Sequence, residues 1–475
     1  MVTLRLFAVS LLAWTAAQAD AQGKAPAAPA SPQTVSSLQN LPADDPNQPL
    51  VATVKDGFTF AAGGDLLGLW HPSAVEADPG LEAVARLLNA ADVGFANREG
   101  NVFDLRTFKG WAASENGGFE QLGVGSGPLA AAATGRTLKE LGIQLLALAN
   151  NHSTDWGLEG LAETERVLDE AGVVHAGSGP NRAAARAAAF LATRKGRVAF
   201  LSAASTFLPL SVAGPGEGER APRPGISALR VKPITLVSAT EMTALREIAK
   251  RQGHVPDKND RDITLDPNDQ TFNEQTFRVG SSTGIQYEVN SVDREEILKA
   301  IHAGKKAADF AVFTIHAHET ASGAQEYAVP PETLAPADFL RPFFHDAIDA
   351  GADVVVTTGP HVLRGIEIYK GKPIFYGLGS LFFELGRGWP ASWYDSVLAI
   401  SEYRNGQLFQ LRLYPLDLGG PSLAERSRTL QGVPHLAGPG DAKRILQALQ
   451  QDSAPYGTEI RIENNVGLIR IAAPH

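Results

Sequence analysis

The chain has 475 residues, with 42 Lys plus Arg against 52 Asp plus Glu, a formal charge of −10 and 44% hydrophobic residues, which is a globular composition. No Lys/Arg-rich run offsets the acidic balance, which excludes a nucleic-acid partner, because binding phosphate needs a basic footprint. The absence of cysteine excludes disulfides, thiolate zinc sites, iron–sulfur clusters, a cysteine nucleophile and a lipoprotein anchor, so any metal must be held by His, Asn, Asp or Glu.

At the N-terminus, Arg5 precedes an apolar run of twelve residues, Leu6 to Ala17, and Ala19-Asp20-Ala21 supplies the small-x-small pattern of a cleavage site. Residues 1–21 therefore read as a secretory signal peptide, and the protein is expected to be secreted or periplasmic. Twelve apolar residues are too few for the roughly 20 that span a bilayer. No later stretch reaches that length, so no transmembrane segment is expected in the mature chain. Gln22 to Leu50 contains six prolines among Ala, Ser, Gln and Asp, without apolar periodicity. Such a segment cannot bury enough surface to order itself, and a leader over 22–56 is expected before a domain that begins at residue 57.

From Gly57 onward, short β-rich runs alternate with helical stretches. Phe58–Ala62, Asp92–Ala96, Leu145–Ala149, Arg197–Leu201, Asp309–Ile315 and Asp353–Val356 read as strands, and Leu81–Ala90, Leu129–Leu141, Leu158–Ala171 and Pro336–Ala350 as helices. Strand followed by helix, repeated, predicts an α/β sheet with helical crossovers. Gly253 to Val292 is polar and reads as a surface insertion. None of its residues falls at a strand end, so it is expected to be dispensable for metal binding. From Gly365 onward the pattern becomes antiparallel, with Ile366–Tyr369, Pro373–Tyr376 and a hairpin around Asn405-Gly406.

Metal-competent residues recur just after the predicted strands, where open α/β sheets place their ligands. They are Asp65 after Gly63-Gly64, Asn97 and Glu99, Asn150-Asn151-His152 followed by Asp155, His316 with His318 and Glu319, and His361 after Gly359-Pro360. Each is weak alone, since Asp and Asn at such positions also serve as helix caps and turn residues. Five strand ends with N/O ligands in a chain of only eleven histidines point to one shared site. His316 and His318 fall on the same side of an extended strand. His175, His302 and His345 lie off the pattern and read as structural or exposed.

Three other motifs lack their context. Gly280-Ser-Ser282-Thr-Gly284 matches the hydrolase elbow but lies in the polar insertion. His318-Glu319 starts H-E-x-x-H, yet position 322 is Ser. Gly123-Val-Gly125-Ser-Gly127 lacks the Lys-Ser/Thr of a phosphate loop, and no nucleotide site is supported.

Gly64-Asp65, Asn97-x-Glu99, Asn150-Asn-His152 with Asp155-x-Gly157, His316 followed by Glu319, and the block from Gly359 to Leu381 occur in family order. Through them the chain resembles the CapA family of capsule and poly-γ-glutamate synthesis proteins, from about Phe58 to Tyr414. The family resembles the calcineurin-like metallophosphoesterases, which implies a four-layer α/β/β/α sandwich with a dinuclear metal centre between the sheets. Carried over residue by residue, the resemblance makes Asp65, Glu99, Asn151, His316 and His361 metal ligands, with Glu99 in the bridging position. It makes His152 the donor of a proton to the leaving group, with Asp155 orienting it. The family pattern Gly-His-x-Pro-His reads Thr357-Thr358-Gly359-Pro360-His361 here, so one imidazole is missing, and Asn-Leu-Glu reads Asn97-Arg98-Glu99. His318 either replaces the missing ligand or supports the others from behind.

The resemblance implies an exported, metal-dependent hydrolase with two divalent ions, Mn or Zn favoured for a mixed His, Asn and carboxylate set. Its substrate would be anionic, a phosphoester or a polyglutamate-type amide, and its partners would include capsule-synthesis membrane proteins. A non-catalytic factor that binds and guides an anionic polymer, and a metal-assisted peptide epimerase, are the alternative readings.

Overall fold

The computed structural model describes residues 50–68, 78–110, 129–216, 220–251, 275–323, 335–385, 389–419 and 430–471, and residues 262–265 by their backbone. The expected signal peptide, the leader up to residue 49 and the glycines at 123, 125 and 127 lie outside the described residues. The architecture is mixed α/β, as the alternation of strand and helix patterns predicts. Among the described residues no helix is long and apolar enough to cross a membrane.

Two sheets carry the fold. The larger runs Arg461–Glu463, Val466–Arg470, Gln407–Asp417, Asp395–Arg404, Phe58–Leu67, Val93–Asn97, Leu145–Ala147 and Val174–Ala176, and Ser380–Phe383 pairs with the end of Phe58–Leu67. The smaller runs Ile366–Tyr369, Lys372–Phe375, Val354–Thr358, Phe310–His316, Gly196–Ala204 and Ala189–Thr193. The central strands are parallel in both: Val93–Asn97 between Phe58–Leu67 and Leu145–Ala147, and Phe310–His316 between Gly196–Ala204 and Val354–Thr358.

Alternation along each strand explains how the layers meet, because successive side chains point to opposite faces. Phe58, Phe60 and Ala62 of the larger sheet share a core with Phe200, Phe310, Val312 and Val354 of the smaller, and the Phe58 and Phe310 rings lie 5.0 Å apart. On its other face the larger sheet packs Ala61, Ala96 and Leu146 against Leu81, Val84 and Leu88 of helix Pro79–Ala90 and Leu168 of helix Gly157–Ala171. The smaller sheet packs Leu201, Phe313 and Val355 against Ile297 and Ile301 of helix Ser291–Lys306 and Phe343 and Phe344 of helix Leu340–Asp349. Strands covered on both faces read as near-continuous apolar runs, which is why they stand out in the sequence. The helices start where capping chemistry puts them: Asp78 accepts a hydrogen bond from Leu81 N, and Asn290 from Asp293 N.

Four expectations shift. The leader was expected to run to residue 56, but Ala52 and Val54 are buried in the core between the sheets, and Thr53 N donates to Asp309 O at 2.9 Å. The helix expected from Leu129 begins at Thr134, because Leu129–Ala130 pairs with Asn101–Val102. The helix expected from Pro336 begins at Leu340, and Pro336 instead bridges Thr320. The polar insertion contains structure: Asp262–Leu265, Gln275–Val279 and Gly284–Val289 join Val231–Val237 in a four-stranded sheet. Gln275–Val279 buries only Thr276 and Arg278, so its alternation carried no apolar signal.

Candidate metal centre

The parallel strands of both sheets end at one place. From the larger sheet come Asp65, Asn97, Glu99 and the loop Asn150-Asn151-His152. From the smaller come His316, His318, Thr358 and His361. This is the carboxyl-end position that open α/β sheets use for ligands.

Asp65 is reached through a break in strand register between Ala62 and Asp65. Gly64 makes the break possible, because a Cβ there would lie 1.7 Å from Gly379 O. Both Asp65 oxygens are engaged: Oδ1 accepts from Asn97 Nδ2 at 2.7 Å and Oδ2 from Gly359 N at 2.8 Å. Gly359 presents that N–H from φ 101°, in the left-handed region, with His316 packed 3.2 Å from where a Cβ would stand.

His316 ends its strand in register with Ala204 and Thr358. Its Nδ1 lies 3.2 Å from Asn97 Nδ2 and 3.4 Å from Thr358 Oγ1. Its Nε2 points the other way, 3.0 Å from His318 Nε2 and 3.8 Å from Glu99 Oε1. His318 Nε2 is 3.9 Å from the same Glu99 oxygen. His361 is buried beside Trp393, at 4.6 Å between ring centroids, and its Nδ1 lies 3.3 Å from Ser380 Oγ.

Two ligand groups follow, Glu99 with His316 and His318, and Asp65 with Glu99 and His361, each with its ligand atoms within 4.8 Å of one another. Bonds of about 2.0–2.2 Å from a tetrahedral cation to N and O set its ligand atoms about 3.3–3.6 Å apart. The 3.0 to 3.9 Å separations in the first group bracket that value. Glu99 belongs to both groups.

The donor chemistry suits a cation. Burial first, and then the neighbouring imidazoles, hold His316 and His318 well below the usual histidine range. Burial, with His152 nearby, brings His361 down to about 3. Neutral imidazoles are the form that binds metal. Asn151 is half-buried, and its Oδ1 is closed off from solvent without a hydrogen bond among the described residues. A buried acceptor left in that state is costly unless something else satisfies it. The residues present therefore fit a metal.

His152 stands at the rim, 16% exposed at its side chain. Its backbone N donates to Asn150 Oδ1, and its Nδ1 lies 2.6 Å from Asp155 Oδ2. That leaves Nε2 facing the cluster, 3.8 Å from Glu99 Oε1.

Two of the strand-end candidates, Asn97 and Asn150, support the ligands, and a third neighbour, Arg98, had no role assigned from sequence. Asn97 ties Asp65 to His316. Asn150 Nδ2 donates to Arg98 O at 2.7 Å, joining two ligand loops. Arg98 is wholly buried and donates to Leu66 O, Gly68 O and Asn101 O. Burial brings its pKa down to about 10, with Glu99 and Glu384 pulling it back. The departure from Leu at this position was a signal, since a guanidinium inside a ligand motif must find acceptors. His175, His302 and His345 are absent from both ligand groups, and His345 bonds Glu367 instead. Ser282 lies between two strands of the inserted sheet.

An α/β fold with a histidine and carboxylate cluster able to hold metal at its strand ends defines the class. The chain belongs to the family described as bacterial capsule synthesis protein PGA_cap, whose sequence profile matches residues 39–385. It is 38% identical over 461 residues to the uncharacterized protein y4sH of Sinorhizobium fredii, covering 88% of this chain and 94% of that one. It is 25% identical to the capsule biosynthesis protein CapA of Bacillus anthracis, over 60% of this chain and 50% of the relative. A probable polyglutamine synthesis accessory protein of Mycobacterium tuberculosis is 26% identical over 60% of this chain and 58% of its own length.

Proposed function

We propose that the chain is an exported, metal-dependent hydrolase of capsule or poly-γ-glutamate biosynthesis, acting on an anionic phosphoester or polyglutamate-type amide. The observation that carries this reading is the facing of His152 Nε2 toward Glu99, the carboxylate common to both ligand groups. The fold is read as the four-layer α/β/β/α sandwich of metallo-dependent phosphatases, supported by the shared core between the sheets and the helices on their outer faces.

In this reading Asp65, Glu99, Asn151, His316, His318 and His361 hold two divalent ions, Mn or Zn by donor type. Such ions supply Lewis acidity, an activated water and a clamp on developing negative charge. Asp155 accepts the Nδ1 proton of His152 and fixes the ring, so that Nε2 can protonate a leaving group. Asp65 and Glu99 alone do not neutralise two divalent ions, which leaves the loaded site net positive and suited to an anion. Capsule-synthesis membrane proteins are the proposed partners.

The test is metal analysis of the purified protein, followed by turnover of phosphoesters and γ-glutamyl amides after Mn²⁺ or Zn²⁺ is added back. Two metals with turnover support the hydrolase. Metal without turnover favours a polymer-binding capsule factor, the reading that Thr358 in place of an imidazole supports. Export is checked by mass spectrometry, with a mature N-terminus near Gln22 expected.

A further inference from the structure

His316 and His318 are held by different means. His316 is the last residue of its strand, in register on both sides. His318 lies beyond the last paired residue, so the loop that follows must fix it. A metal ligand needs support within about 0.5 Å of its productive position.

That loop is pinned from several directions. His318 N donates to Thr206 Oγ1 at 2.9 Å, and Ser205 Oγ donates to Glu319 Oε2 at 2.8 Å. Ala321 N donates to Ala335 O at 2.8 Å. Ala337 N donates to Glu319 O at 3.3 Å, Pro336 bridges Thr320, and the inserted sheet adds two further contacts. Tyr287 Oη donates to Thr320 O at 3.0 Å. Ile285 Cγ1 lies 2.8 Å from where a Cβ on Gly323 would stand, and Gly323 has φ 71°. Tyr287 is set by its strand, where it pairs with Pro233, and by its ring against Phe339, centroid to centroid 5.5 Å.

We propose that the inserted sheet is a positioning device for His318, and that Tyr287 is its positioning residue. The inference rests on the reading of His318 as a ligand. It explains how a chain lacking one imidazole of the family pattern recruits another from a less constrained place: the insertion supplies the constraint. The insertion is then not dispensable for metal binding, contrary to the expectation drawn from its having no residue at a strand end.

The test measures affinity for Zn²⁺ by chelator competition, and the visible spectrum of the Co²⁺-loaded protein, for wild type, Tyr287→Phe, Tyr287→Ala, His318→Ala and the double variant His318→Ala/Tyr287→Phe. Tyr287→Phe keeps the ring on Phe339 and removes only the hydrogen bond, which guards against a folding failure in Tyr287→Ala. Loss of a group that orients a ligand typically weakens metal binding about 10–100-fold. Tyr287→Phe should weaken one of two sites by about that range and alter the Co²⁺ spectrum, with no further effect in the His318→Ala background. If His318→Ala keeps both metals at wild-type affinity, the ligand reading fails and the inference with it. If His318→Ala loses a metal while both Tyr287 variants bind as wild type, the inference alone is overturned. An undiminished Tyr287→Phe effect without His318 also overturns it.

Discussion

His152 and Glu99 face each other across 3.8 Å, one ring nitrogen of His152 toward Glu99 Oε1 and the other on Asp155 Oδ2 at 2.6 Å. Glu99 is at the centre of the cluster and His152 at its rim, so their replacement should have different consequences. His152→Ala should keep its metal and lose the roughly 10²–10⁴-fold typical of a missing general acid. His361→Ala should lose metal and activity together. Metal content by plasma mass spectrometry, measured beside turnover, separates the two, and equal metal loss in both would remove the proton-donor role from His152.

Gly64 sets the approach of Asp65. A Cβ at 1.7 Å from Gly379 O must displace the backbone, and overpacking of this kind costs about 1–3 kcal/mol. Gly64→Ala should therefore lower the urea midpoint and also lower metal content, because the displacement falls next to Asp65. An unchanged midpoint would show that the two segments separate freely.

Arg98 satisfies three backbone carbonyls from inside the core. Arg98→Leu restores the residue expected from the family pattern but leaves those acceptors without the guanidinium, at about 1–3 kcal/mol for each that finds no other partner. Chemical denaturation should show a loss of at least that size. A stability equal to wild type would mean that the loop rebuilds its hydrogen bonds.

Acidity acts on the histidines. An unfolded imidazole titrates near 6.5, and burial holds His361 down to about 3. Below about pH 6.5 the unfolded metal-free chain therefore binds more protons than the folded one, and stability falls as pH falls. Each such histidine contributes a slope of up to about 1.4 kcal/mol per pH unit. Urea unfolding of chelator-treated protein at about pH 7, 6 and 5 should show this loss. His361→Asn should flatten the slope, and a slope identical to wild type would contradict the cause assigned to it.

The strand ends were legible because the parallel strands are buried on both faces, so apolar runs stop abruptly at Asp65, Asn97, Asn150 and His316. Phe58–Leu67 extends past the expected Ala62 because Gly63-Gly64 is a register break inside a strand, which looks like a turn in the sequence. Strand Val174–Ala176 was not expected, being only three residues long with a histidine at its centre. Tyr287 could not be connected to His318 from sequence, since the link is a tertiary contact between an insertion and a loop thirty-odd residues away. The pairing of Asp65 and His316 through Asn97 joins the two sheets, and no local spacing encodes it.

The most direct measurement of the central claim is metal stoichiometry in Glu99→Gln beside wild type, each equilibrated with Mn²⁺ or Zn²⁺ and checked for folding by circular dichroism. Because Glu99 belongs to both ligand groups, wild type should hold two ions and the variant should lose both or hold them far more weakly. A folded Glu99→Gln protein that keeps two tightly bound ions, or a wild type that binds none, would contradict a dinuclear centre built around this carboxylate.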